Sequence, residues 1–186
     1  APLSLHIKQG EKIAIIGESG SGKTSLLNLI HGDLQPTHGC ISFAGQNLSR
    51  EEITSISSYI LQSSHYFNSL SLEENITLGA VKNVSKLEAI LEQTGLESLK
   101  NRNLNEDSLS GGEKQRLEIA RALYHDSRLI LADEAKANLD SENSQKISNL
   151  LFSLPQTVIE VIHHYSKEDL KRYDQVIHLY KANKIP

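Results

Sequence analysis

Three short stretches of this 186-residue chain carry residue types that could act together on a phosphate. The first is GESGSGKT, Gly17, Glu18, Ser19, Gly20, Ser21, Gly22, Lys23 and Thr24, set between the apolar run KIAIIG (12–17) and a helical pattern over 23–31. Glycines let successive backbone N–H groups wrap an anion without side-chain clashes. A helix beginning near Lys23 aims its positive end at the same anion. Lys23 can neutralise β- and γ-phosphate charge, and the Thr24 hydroxyl can ligate Mg²⁺. The second stretch, LILADE, closes an apolar run with Asp133 and Glu134. In open α/β sheets, ligands bind beyond the carboxyl ends of strands. There one carboxylate can hold Mg²⁺, directly or through water, and the next can polarise an attacking water. The third, Ser110-Gly111-Gly112, opens a segment in which Leu117, Ala120, Leu123 and Tyr124 recur at helical spacing. Glycine costs about 1 kcal/mol relative to alanine inside a helix. Bare backbone N–H groups beside a hydroxyl at a helix N-terminus make a second anion site.

Something must hold these stretches in place, and the remaining pattern supplies it. KIAIIG (12–17), ISSYIL (56–61), RLILA (128–132), TVIEVI (157–162) and QVIHLY (175–180) are short and rich in branched residues. Helical patterns lie over 23–31, 84–94, 113–124 and 141–152. Strands buried on both faces read as continuous apolar runs, so the alternation predicts an α/β fold: a mostly parallel sheet flanked by helices. LSLHIKQ (3–9) and CISFAG (40–45) are half-polar, with turn chemistry before the second, and predict a small antiparallel β element at the edge. Residues 68–110 contain no clear strand and read as a helical insertion.

Composition narrows the class. Hydrophobic content of 38% with 23% charged residues is ordinary for a globular domain. A net charge of −4 gives no electrostatic reason to expect nucleic acid as a partner. One cysteine, Cys40, excludes an intramolecular disulfide and fits a reducing compartment. No apolar run approaches the length of a membrane span.

Together, the glycine loop, the strand-terminal Asp-Glu and LSGGE resemble the nucleotide-binding domain of ABC ATPases, whose signature reads LSGGQ or close to it. The resemblance covers essentially the whole chain. It implies a P-loop NTPase with a RecA-like core over about 1–62 and 124–186 and a helical signature subdomain over about 63–123. ATP and Mg²⁺ are the implied ligands. Gly17 to Thr24, together with Ser25, would hold the nucleotide of the chain's own site, with Thr24, Gln62 and Asp133 on the metal. Ser110, Gly111 and Gly112 would grip the γ-phosphate held by a partner domain, so ATP is sandwiched head to tail in a homo- or heterodimer. Glu134 would act on water beside Lys23, and Gln62 would touch Mg²⁺ and the attacking water. AKANLD (135–140) looks like the D-loop, with Asp140 across the dimer interface. TVIEVIHH looks like the segment ending in the switch histidine. Placing the strand start at Thr157 puts His163 at that position, with His164, one residue on, as the alternative.

The departures are Glu113 for the final glutamine of the signature and Lys136 where Thr or Ser is usual. The family also places an adenine-stacking aromatic well upstream of the P-loop, and Ala1 lies too close to Gly17 to include it; the chain is expected to be N-terminally truncated. Were the base site within residues 1–186, Tyr66 and Phe67 would be the first aromatics to mutate. DEAKANLD is more like exporter sequences than the DEPTSALD style of many importers. The expected role is therefore the ATPase domain of an exporter at the cytoplasmic face of the cell's inner membrane, coupled to a transmembrane domain. The alternatives are a soluble ABC ATPase and an importer subunit.

Overall fold

The computed structural model describes residues 3–61, 65–102, 104 and 109–181. Five strands form one sheet: β1 (Lys12–Gly17), β2 (Ser57–Ile60), β3 (Leu129–Asp133), β4 (Thr157–Val161) and β5 (Gln175–Leu179), in the order β2-β3-β4-β1-β5. β1 pairs in parallel with both β4 and β5, and β3 pairs in parallel with β4. The register sets Asp133 beside Val161 and Val161 beside Ile15, so the carboxyl ends of β3, β4 and β1 share one rim of the sheet.

These strands read as continuous apolar runs because both faces are covered. Every residue of β4 is buried, as are the first five of β1. Helix α1 (Lys23–His31) covers one face, with Leu27 and Ile30 packed among Ile13, Ile15, Leu131, Ile159, Val161 and Ile177. Helix α2 (Arg50–Ile56), which the sequence pattern did not suggest, starts at a capping box in which the Ser49 hydroxyl accepts from Glu52 N–H and the Glu52 carboxylate accepts from Ser49 N–H. This box is worth about 1 kcal/mol to so short a helix.

The expected antiparallel element does not form among the described residues. No strand runs through 3–9 or 40–45; a single antiparallel bridge joins Phe43 and Gln46. Ala44 and Gly45 both take positive φ, so the chain reverses within two residues. The Ser49 cap of α2 then follows almost at once, leaving no length for a ladder, and a hairpin this short has no independent stability.

The chain divides into two units. The first, residues 1–59, 128–134 and 155–186, holds most of the sheet, with α1, α2 and the short α7 (Lys167–Leu170). The second, residues 60–127 and 135–154, is built from α3 (Leu72–Thr77), α4 (Val84–Thr94), a 3₁₀ turn at Glu97–Leu99, α5 (Gly111–Tyr124) and α6 (Ser141–Ser153). Its buried apolar side chains include Leu72, Ile76, Leu87, Leu91, Leu117, Ile147 and Leu151. No helix among the described residues is long and apolar enough to cross a membrane.

Candidate functional site

At the rim of the first unit, β1 gives way to the glycine loop and then to α1. Gly17 has φ of +149°, and a Cβ there would stand 2.2 Å from the Leu179 carbonyl oxygen of β5 and 2.8 Å from Ser21 Oγ, so only glycine fits. Gly22, at φ +94°, is the N-cap of α1 and offers no side chain to the helix end. Every other α-helix among the described residues carries a capping side chain: Ser49, Ser71, Asn83, Ser110, Asp140 and Ser166. The first turn of α1, Lys23, Thr24 and Ser25, thus presents N–H groups that no cap consumes. Lys23 is 5% exposed, and its Nζ donates to the Gly17 and Glu18 carbonyls at 2.9 and 3.0 Å, holding the ammonium inside the loop. Ser21 Oγ is buried without a hydrogen-bond partner among the described residues.

Two residues bring β3 to the same rim. Asp133 closes the strand with Oδ1 buried and lacking a hydrogen-bond partner among the described residues, while Tyr59 Oη donates to its Oδ2 at 3.4 Å. Burial and the Asp133 charge push the Tyr59 hydroxyl upward, so it remains a donor. Glu134 then takes φ of +54°, a left-handed conformation that costs a non-glycine residue free energy and is typical of functional turns. Its N–H still donates to the Val161 carbonyl at 3.3 Å, while its carboxylate meets His163. Glu134 Oε1 and His163 Nε2 are 2.9 Å apart, with both side chains 31% exposed. His164, the next residue, is exposed.

These donors suit Mg²⁺. No group of three His, Cys, Asp or Glu side chains among the described residues forms a cage. Mg²⁺ is characteristically held by one or two carboxylates with waters and substrate phosphates, and an unpartnered buried oxygen on Asp133 is the carboxylate such an ion needs. Gln62, the remaining expected ligand, lies outside the described residues.

In the second unit, Ser110 is the N-cap of α5. Its hydroxyl accepts from Glu113 N–H at 3.3 Å, and the Glu113 carboxylate accepts from Ser110 N–H at 2.6 Å. Burial pushes the Glu113 carboxyl up, but the Ser110 hydrogen bonds and the Arg102 and Arg116 charges outweigh it and hold the group below the usual carboxylate range. The box uses Ser110 N–H and Glu113 N–H and leaves those of Gly111 and Gly112 at the open end of the helix. Asp140 caps α6, its Oδ1 accepting from Asn143 N–H at 2.9 Å.

Three polar residues with no motif to mark them in the sequence set this unit's loops. Asn75 is fully buried; its amide bonds the backbone of Phe67, Leu70 and Ser71. Arg121 on α5 donates to the Asn75 and His65 carbonyls at 2.7 and 2.8 Å. Gln115, 3% exposed, donates to the Leu61 carbonyl at 3.0 Å. Polar residues on a helix face that packs inward were the available signal, since such groups are retained only with partners.

Comparison with known proteins follows the same lines. The family model described as ABC transporter matches residues 1–137. The chain is 34% identical over 182 residues to the lactococcin-A transport/processing ATP-binding protein of Lactococcus lactis subsp. lactis, covering 90% of this chain and 25% of that protein. It is 36% identical over 169 residues to a lipoprotein-releasing system ATP-binding protein of Chlorobium luteolum, covering 81% of this chain and 71% of the relative. The chain thus spans about a quarter of the length of the first of these relatives. The dimeric structure of a bacterial ABC transporter cassette superposes with a TM-score of 0.76 at 32% identity, covering 95% of this chain and 84% of that one. The chain belongs to the ABC transporter ATP-binding family, a family of ATP hydrolases.

Proposed function

We propose that this chain is the ATP-binding and hydrolysing domain of an ABC exporter, pairing head to tail with a second such domain around Mg-ATP at the cytoplasmic face of a membrane. The observation that carries the reading is the single sheet rim that gathers an uncapped helix end, buried Lys23, Asp133 and the Glu134–His163 pair. Lys23 and the first turn of α1 bind the phosphates. Thr24, Gln62 and Asp133 would hold Mg²⁺, which when bound supplies charge neutralisation of the phosphate oxygens. Glu134 accepts a hydrogen bond from the attacking water, and His163 orients that carboxylate through their 2.9 Å contact. Ser110, Gly111 and Gly112 serve the partner's nucleotide, and the transmembrane domain of the transporter is the second partner.

The DEAKANLD segment and the lactococcin-A transport relative support export. A separate ATPase subunit is the second reading, favoured by the lipoprotein-releasing relative, of which the chain covers 71%. Apolar spans encoded upstream of Ala1 would decide for the fused form. The site itself is tested with Glu134→Gln, which should keep Mg-ATP binding and lose most turnover. The same variant should accumulate as an ATP-bound dimer in sedimentation. Turnover near that of the unaltered chain would remove Glu134 from the proposed role.

A further inference from the structure

The two signature glycines are not alike. Gly111 is exposed, whereas Gly112 is buried. An ideal Cβ on Gly112 would stand 2.7 Å from Asn143 Oδ1, 2.9 Å from its Cγ and 3.3 Å from its Cβ. On Gly111 it would stand 2.9 Å from Leu139 Cδ2. Asn143 is held beside Gly112 by Asp140: its Nδ2 donates to Asp140 Oδ2 at 2.6 Å, a bond lost if the side chain turns away, while its backbone N–H donates to Asp140 Oδ1. The start of α5 therefore rests on the start of α6, and the contact is closed by the side chain of Asn143.

We propose that Asn143, supported by Leu139, is a positioning residue for the signature tip, and that Gly112 is glycine because Asn143 occupies the volume beside it. A requirement for close phosphate approach, which explains an exposed Gly111, does not by itself explain a buried Gly112. Asn143 fixes where the Ser110–Gly112 backbone stands, with Leu139 at the end of the 135–140 segment packed beside Gly111. The functional half of this inference rests on the dimer reading above; the packing half does not.

The test uses a compensating pair in a Glu134→Gln background: the parent, Gly112→Ala, Asn143→Ala, and both changes together. Asn143→Ala keeps the Asp140 cap, since that bond uses the backbone N–H of residue 143. Melting without nucleotide reports the packing, and sedimentation with Mg-ATP reports the tip. Overpacking is destabilising, so Gly112→Ala should lower the melting temperature by roughly 2–12 °C for a domain of this size. It should weaken ATP-driven dimerisation by about ten-fold or more, equivalent to about 1.4 kcal/mol. The double variant should recover most of both losses, stopping short of the Asn143→Ala values because the Cβ of residue 143 still stands 3.3 Å from the new methyl group. A double variant no better than Gly112→Ala would overturn the proposal, because the glycine would then be needed by something other than Asn143. Gly112→Ala indistinguishable from the parent would overturn it as well. A parent that remains monomeric with Mg-ATP would defeat the dimer reading and the positioning role together, while the melting series would still decide the packing.

Discussion

Replacing His163 by alanine separates a catalytic contact from a structural one. The lost interaction is a single 2.9 Å contact between His163 Nε2 and Glu134 Oε1, with each side chain 31% exposed. Even a fully charged contact so open to solvent contributes only about 0–1 kcal/mol to stability. For a domain of 150–250 residues, 1 kcal/mol corresponds to about 2–4 °C in melting temperature. His163→Ala should therefore lower the melting temperature by no more than about 4 °C. Turnover should fall far more, because the carboxylate proposed to act on water loses the contact that orients it. Removing one preorganised polar contact at a reacting centre typically costs about 10²–10³ in kcat. Phosphate release, measured beside melting curves for His163→Ala, His164→Ala and the unaltered chain, makes the comparison. His164→Ala should match the unaltered chain in both. Turnover of His163→Ala within about three-fold of the unaltered chain would refute the reasoning, as would an equal loss in His164→Ala.

Lys23→Ala should abolish both nucleotide binding and hydrolysis, read by calorimetric titration and phosphate release, because phosphate charge is left uncompensated and two loop carbonyls lose their donor. Ser110→Arg should eliminate hydrolysis while leaving the affinity of the monomer for ATP unchanged, and turnover of the unaltered chain should rise faster than linearly with protein concentration. Tyr173→Phe removes the hydroxyl that donates to buried Glu160 and should destabilise the chain by about 1–3 kcal/mol at neutral pH, read by urea unfolding. Burial and the Glu160 charge push the Tyr173 hydroxyl upward, so its contribution is complete below the ordinary tyrosine value near pH 10 and is lost as pH rises beyond it. Alkaline unfolding should accordingly begin near pH 10 in the unaltered chain, and Tyr173→Phe should lack this component.

Much of the first unit was legible because local and global demands agree there. KIAIIG became β1, LILAD became β3, and the 23–31 pattern became α1 with its ends where the glycines stand. The left-handed turn at Glu134 was not legible: nothing in the residue type asks for it, and the Val161 carbonyl that accepts from its N–H belongs to another strand. CISFAG carried the composition of a strand but, among the described residues, pairs only through the Phe43–Gln46 bridge, and pairing is a property of two segments that one segment cannot display. Glu160 was visible as an acid inside an apolar run, yet its partner Tyr173 comes from another element and had no local sign. For the signature, Ser110 and Glu113 could be paired by their spacing alone, whereas the crowding of Gly112 depends on where α6 passes.

The Leu179 carbonyl that crowds Gly17 also bears on how the site comes into being. β1 leaves the ribosome well before both strands that flank it, β4 and β5. At about 5–20 residues per second, roughly ten to thirty seconds separate synthesis of the phosphate loop from synthesis of the strand that fixes its first residue. During that interval β1 has neither neighbour, and its apolar faces must be shielded by other means. The nucleotide site is consequently a late product of folding: a nascent chain that has not reached Leu179 already carries every residue of the phosphate loop but not the neighbour that sets its shape.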